Sequence, residues 1–144
     1  MINEAYCSYE VSKLLKEKGF NESVRTFYTS DGKFEYCAFE LNHNLDIGSG
    51  FTSAPTHQIA MAWLREEKNI VIEINMDGYM TTDDGKLKKW YSYTIWTFIQ
   101  HLGETGLVDS RFDDRAYWQE NVKVGQTYEQ AVEAALLYAL KNLI

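Results

Sequence analysis

Residues 53–76, SAPTHQIAMAWLREEKNIVIEINM, constrain the fold more than any other stretch of the chain. They read as a helix that runs straight into a strand. Pro55 suits the first helical turn, where its missing N–H is not needed. Ser53 or Thr56 offers a capping hydroxyl. Ile59, Ala60, Trp63 and Leu64 then fall at i, i+1, i+4 and i+5, a single helical stripe. Asn69 tolerates the left-handed backbone that stops a helix. Ile70-Val71-Ile72-Glu73-Ile74 follows with almost no spacer, and β-branched side chains favour the pleated surface over another helical turn. Ile70, Ile72 and Ile74 share one strand face; Val71, Glu73 and Asn75 share the other. Asp77-Gly78 is expected to reverse the chain.

The remaining elements arrange themselves around this unit. Ser8 caps a helix expected to reach about Lys18, with Val11, Leu14 and Leu15 as its stripe and Gly19 at its end. Residues 24–29 and 33–41 read as strands joined at Ser30-Asp31-Gly32. The second carries apolar groups on both faces and is expected to be central in its sheet. Residues 79–82 suggest a short strand, Asp83-Asp84-Gly85-Lys86 a turn, and 89–99 the longest strand. Its Trp90, Ser92, Thr94, Trp96 and Phe98 face one way, and Tyr91, Tyr93, Ile95, Thr97 and Ile99 the other. Residues 103–126 give no clear element. Thr127-Tyr128-Glu129-Gln130 fits a capping box that opens a final helix, striped by Val132, Ala135, Leu136, Ala139, Leu140 and Leu143.

Composition excludes several functions. At 144 residues the expectation is one globular domain, 1–144, large enough to bury its own core. Fourteen Lys and Arg stand against 21 Asp and Glu, a formal charge of −7. That argues against a general nucleic-acid binder, which needs clustered positive charge. Two cysteines, Cys7 and Cys37, make neither a disulfide framework nor a zinc spacing. The opening MINEAYCSYE lacks a signal-peptide pattern and no apolar run approaches a membrane span, so a cytoplasmic location is expected.

No catalytic or metal-binding signature stands out, and no cofactor is implied. His43, His57 and His101 show no ligand spacing. Cys37 lies in an apolar strand and reads as an inert thiol. Gly48 and Gly50 are too few to cradle a phosphate. Glu73 becomes a general acid–base candidate only if it faces a cleft; alternation places it on the solvent side. The distinctive feature is aromatic content, 15% of residues. Trp90, Tyr91, Trp96 and Trp118 are the candidate binding residues for a protein partner.

Three groups of residues carry a resemblance. They are Ala54-Pro55-Thr56 with Trp63-Leu64-Arg65-Glu66, Asn69-Ile70 and Ile72-Glu73-Ile74; the closing Tyr128-Glu129-Gln130-Ala131 with Ala134-Ala135-Leu136; and the opening Leu14-Leu15-Lys16-Glu17-Lys18-Gly19-Phe20. Together these resemble a group of small uncharacterised proteins carried by phages and mobile elements of Bacteroides-type gut bacteria. The likeness covers about half of the chain and brings no activity with it.

The expected fold is α+β, a mainly antiparallel sheet of four to five strands with three helices largely on one face. The leading functional expectation is a non-enzymatic interaction protein, encoded by a phage or mobile element, that binds a host or phage protein. The alternatives are a small-molecule- or nucleotide-acting enzyme with a site near Glu73, and an acidic mimic of nucleic acid.

Overall fold

The computed structural model describes residues 2–45, 48–102, 108–113 and 125–144. Three helices and six strands follow in the order α1 (Tyr9–Glu17), β1 (Val24–Tyr28), β2 (Phe34–Leu41), a 3-10 turn (His43–Leu45), β3 (Thr52–Ser53), α2 (His57–Lys68), β4 (Ile70–Thr81), β5 (Leu87–Leu102), β6 (Val108–Asp113) and α3 (Tyr128–Asn142). The fold is α+β and every strand pairing is antiparallel. The strands do not form the single sheet expected from the sequence. They divide into two three-stranded sheets, β2-β1-β3 and β4-β5-β6. Periodicity identifies strands but not their partners, which is why the division was not legible.

The chain forms two compact units, Met1–Trp63 with Leu136–Ile144, and Leu64–Ala135. In the first, the Ser8 hydroxyl accepts the Val11 N–H at 3.2 Å and caps α1,. Val11 and Leu15 are buried on this helix, and Phe20 meets Trp63 ring edge to ring face at 5.6 Å. The N-terminal segment is tied to the start of α2: Cys7 N–H donates to the Pro55 carbonyl, and His57 N–H to that of Ala5. Thr56, not Ser53, caps α2, accepting the Ile59 N–H at 3.2 Å. Ser53 belongs to β3 instead. The buried stripe of α2 is Ala60, Met61, Trp63 and Leu64. Ile59 is exposed, against expectation, and Met61 is buried in the stripe instead.

β2 is an edge strand, not a central one: β1 has β2 on one side and the two-residue β3 on the other. Its apolar residues on both faces reflect exposure rather than double cover, since Tyr36 and Phe39 are largely exposed. The register passes from Thr26↔Tyr36 to Val24↔Leu41. Residues 37–40 therefore bulge opposite Arg25, a device that blunts a sheet edge.

In the second unit, Asn69 adopts φ 54° and ends α2 directly before β4,. β4 does not reverse at Asp77-Gly78. A bulge between Met76 and Gly78 absorbs Asp77, and the strand continues to Thr81,. The reversal comes at Thr82-Asp83-Asp84-Gly85-Lys86, and it repeats the Thr29-Ser30-Asp31-Gly32-Lys33 turn of the first unit. In each, Thr N–H donates to the Lys carbonyl, Gly N–H to the Thr carbonyl, and the Thr hydroxyl to the Asp carboxylate. Gly32 and Gly85 take φ of 83° and 79°, which L side chains rarely adopt,. β6 pairs with the far end of β5, Val108 opposite Leu102 and Asp113 opposite Thr97. α3 opens with a reciprocal box: Thr127 N–H donates to Gln130 Oε1 at 2.9 Å, and Gln130 N–H to Thr127 Oγ1 at 3.1 Å,.

Candidate functional site

β4 and β5 build a long hairpin arm whose outer edge, along β4, has no partner strand among the described residues. Register puts Ile70, Ile72, Ile74 and Met76 on one face with Thr97, Ile95, Tyr93 and Tyr91. Val71, Glu73 and Asn75 lie on the other with Trp96, Thr94 and Ser92. Ile70 and Ile95 are fully buried and anchor the base of the arm. Toward the tip the burial ends. Met76 is 56% exposed, Tyr79 68%, Met80 47% and Leu87 57%. Tyr79 and Leu87 lie on one face of the ribbon and Met80 on the opposite one, because β residues alternate,. Large apolar side chains are thus displayed on both faces of a two-stranded tip.

The candidate aromatics sit on this arm. Trp90 and Trp96 share a face and Tyr91 takes the opposite one, as the alternation predicts; all three are half-buried. Trp90 stands directly opposite Gly78 at the bulge. Its ring occupies the space a side chain would take there: a Cβ on Gly78 would meet Trp90 Cζ2 at 2.2 Å and Cε2 at 2.4 Å. Tyr91 packs edge to face on Tyr128 at 5.6 Å. Its backbone N–H donates to the Gln126 carbonyl, and Gln126 Nε2 donates back to the Tyr91 carbonyl at 3.2 Å. Trp118 lies outside the described residues. Polar groups line the Trp face: Asn75 donates to Thr94 Oγ1 at 3.0 Å, and Ser92 to Asp77 Oδ1 at 3.5 Å. Sequence reasoning missed Met76, Tyr79, Met80 and Leu87. The signal was present in MDGYMTTDDGKL, an apolar alternation on both sides of a turn, but it was masked by reading Asp77-Gly78 as the reversal.

The residues weighed for chemistry are dispersed. Glu73 is exposed on β4, opposite Thr94 in the ladder. His43 and His57 are buried, and the side chain of His101 is outside the description. No group of three or more His, Cys, Asp or Glu among the described residues is placed to hold a metal. Cys7 is buried and Cys37 half-buried. No helix among the described residues is long and apolar enough to cross a membrane.

Hollows lie on the first unit, two of them lined by described residues. One, of about 510 Å³, is lined by Phe27, Cys37, Leu41, Asn42, His43, Leu45 and Phe51. The other, of about 380 Å³, includes Glu4, Tyr6, Arg25, Tyr36 and Glu40. In it the Tyr6 hydroxyl donates to Glu4 Oε2 at 3.1 Å. Partial burial first, and then the neighbouring Glu4 carboxylate, push the Tyr6 phenol up to about 12,.

Searches against protein-family models, curated proteins and solved structures found no match to the chain.

Proposed function

We propose that the chain is a non-enzymatic interaction protein, encoded by a phage or mobile element and acting in the cytoplasm, that binds a host or phage protein through the β4–β5 arm. The observation that carries this reading is the tip, where Met76, Tyr79, Met80 and Leu87 are exposed together on a ribbon only two strands wide. Exposing such side chains has a solubility cost, which a partner that covers them would remove. The β4 edge, without a partner strand among the described residues, adds main-chain donors and acceptors suited to an extended segment of that partner,. Trp90 and Trp96 then act from within the arm, stiffening it, while the tip residues make the contact. Glu73 is exposed and lines neither of the two described hollows.

The test is affinity capture from native host cells with wild type and a Tyr79→Ser/Met80→Ser/Leu87→Ser variant. A protein held by wild type and lost by the equally folded variant supports the reading. Capture of the same proteins by both sinks it.

A further inference from the structure

We infer that the 510 Å³ hollow of the first unit is a binding pocket for a small neutral aromatic molecule carrying one N–H or O–H donor, with His43 as its acceptor. This site is independent of the arm.

The walls are rings. Phe27 lies between His43, stacked at 4.6 Å and 25°, and Phe51, at 4.7 Å and 37°. Leu41 and Leu45, half and three-quarters exposed, form the mouth, with Cys37 beside them. No Lys or Arg is among the described lining residues, and the nearby Lys16 ammonium is engaged by the Phe51 carbonyl, so the described walls favour a neutral ligand over an anion,. The volume lies in the range of small-molecule sites, and the mix of apolar walls with very few polar groups is the usual composition of such sites.

The polar groups decide which molecule fits. His43 is 94% buried, being 6% exposed. Its Nε2 meets the Val24 carbonyl at 2.9 Å. A carbonyl only accepts, so Nε2 carries the proton and, in the neutral ring, Nδ1 keeps a lone pair. Nδ1 has no hydrogen-bond partner among the described residues. Asn42 is already engaged at both ends of its amide, donating to the Asn21 carbonyl at 3.0 Å and accepting the Asn44 N–H at 3.1 Å. Nδ1 is not among the described side-chain atoms that are both fully enclosed and unpartnered, so solvent reaches it and a ligand donor would take the place of water there,. The surroundings are already fixed in place. Asn44 donates to the Phe20 carbonyl and accepts the Ser53 N–H, both at 2.9 Å, which pins the 3-10 turn. Lys16 Nζ holds the Phe51 carbonyl at 2.7 Å. Such preorganisation lowers the ordering cost of binding.

The test uses indole and N-methylindole with the full chain. Binding is read by isothermal titration and by the alkylation rate of Cys37, since Cys7 is fully buried. Indole is expected to bind and to slow Cys37 alkylation, and N-methylindole, which has no donor, to bind about fivefold more weakly. His43→Phe keeps the ring stacked on Phe27 and removes the acceptor, so indole should bind to it about fivefold more weakly, with N-methylindole unchanged,. Leu45→Trp, at an exposed position, should block the mouth and abolish binding without lowering the melting temperature. No indole binding at millimolar concentration, equal affinity for indole and N-methylindole, or binding unaffected by Leu45→Trp would each overturn the inference.

Discussion

The Trp90 ring fills the place of the missing Gly78 side chain across the β4–β5 ladder. A Cβ at Gly78 would sit 2.2 Å from the indole. The glycine is needed here for space rather than for an unusual backbone angle. It follows a bulge that consumes Asp77, and the ring covers the backbone where the ladder is weakest,. Gly78→Ala should therefore destabilise the second unit by about 1–3 kcal/mol, the usual range for overpacking. Gly78→Ala combined with Trp90→Ala should recover part of that loss, because the clash is gone. Thermal unfolding of the four variants of this cycle checks the coupling; additive losses would contradict it.

The two Thr-x-Asp-Gly-Lys turns predict a shared acid sensitivity. The Thr29 hydroxyl holds Asp31 below its ordinary 3.8, and the Thr82 hydroxyl, followed by the Lys86 N–H, does the same for Asp84,. A depressed carboxylate stabilises the fold above its unfolded value, and that contribution is lost as pH falls through the lower folded value. Both turns should stay formed at pH 4 and loosen below it. Carboxyl NMR titration should show Asp84 below 3.8 in wild type and shifted upward in Thr82→Val. An Asp84 that titrates identically in the two proteins would contradict the hydrogen bond.

Tyr6 carries the opposite sign. Its folded value of about 12 exceeds the ordinary 10.0. Its contribution is fully present below pH 10 and lost as pH rises through 12. Ultraviolet titration should show a late tyrosine transition that Tyr6→Phe removes, and Glu4→Gln should bring it earlier. A late transition that survives Tyr6→Phe would assign it elsewhere.

Thr127→Ala removes one half of the α3 capping box and should cost about 1 kcal/mol. Ser53→Ala, by contrast, removes a hydroxyl that caps nothing and is buried without a hydrogen-bond partner among the described residues. It should be neutral or stabilising. Chemical denaturation of both variants separates the two cases.

Legibility differed by element, and for physical reasons. Several helix caps and stops were readable. Ser8 caps α1, Asn69 ends α2, and Thr127 and Gln130 make the box expected of them, because each acts within four residues of its partner. The faces of β5 were readable too, since alternation is a property of one strand. What escaped was pairing. Apolar residues on both faces of β2 suggested a central strand, yet Tyr36 and Phe39 are exposed on an edge. Asp77-Gly78 has the composition of a turn and is a bulge, a distinction set by the partner strand and not by the dipeptide. The same misreading hid the tip residues Tyr79 and Met80. The His43 pocket left no spacing signal at all, because Phe27, His43 and Phe51 meet only through the pairing of β1 with its neighbours.

The most direct measurement is photocrosslinking in native host cells, with a benzophenone amino acid at the Tyr79 position and, as control, at exposed Lys13 in the first unit. One defined protein crosslinked from position 79 and not from position 13, and competed away by untagged wild-type chain, is the outcome that a binding arm predicts. No specific crosslink at position 79, or the same products from both positions, would contradict it.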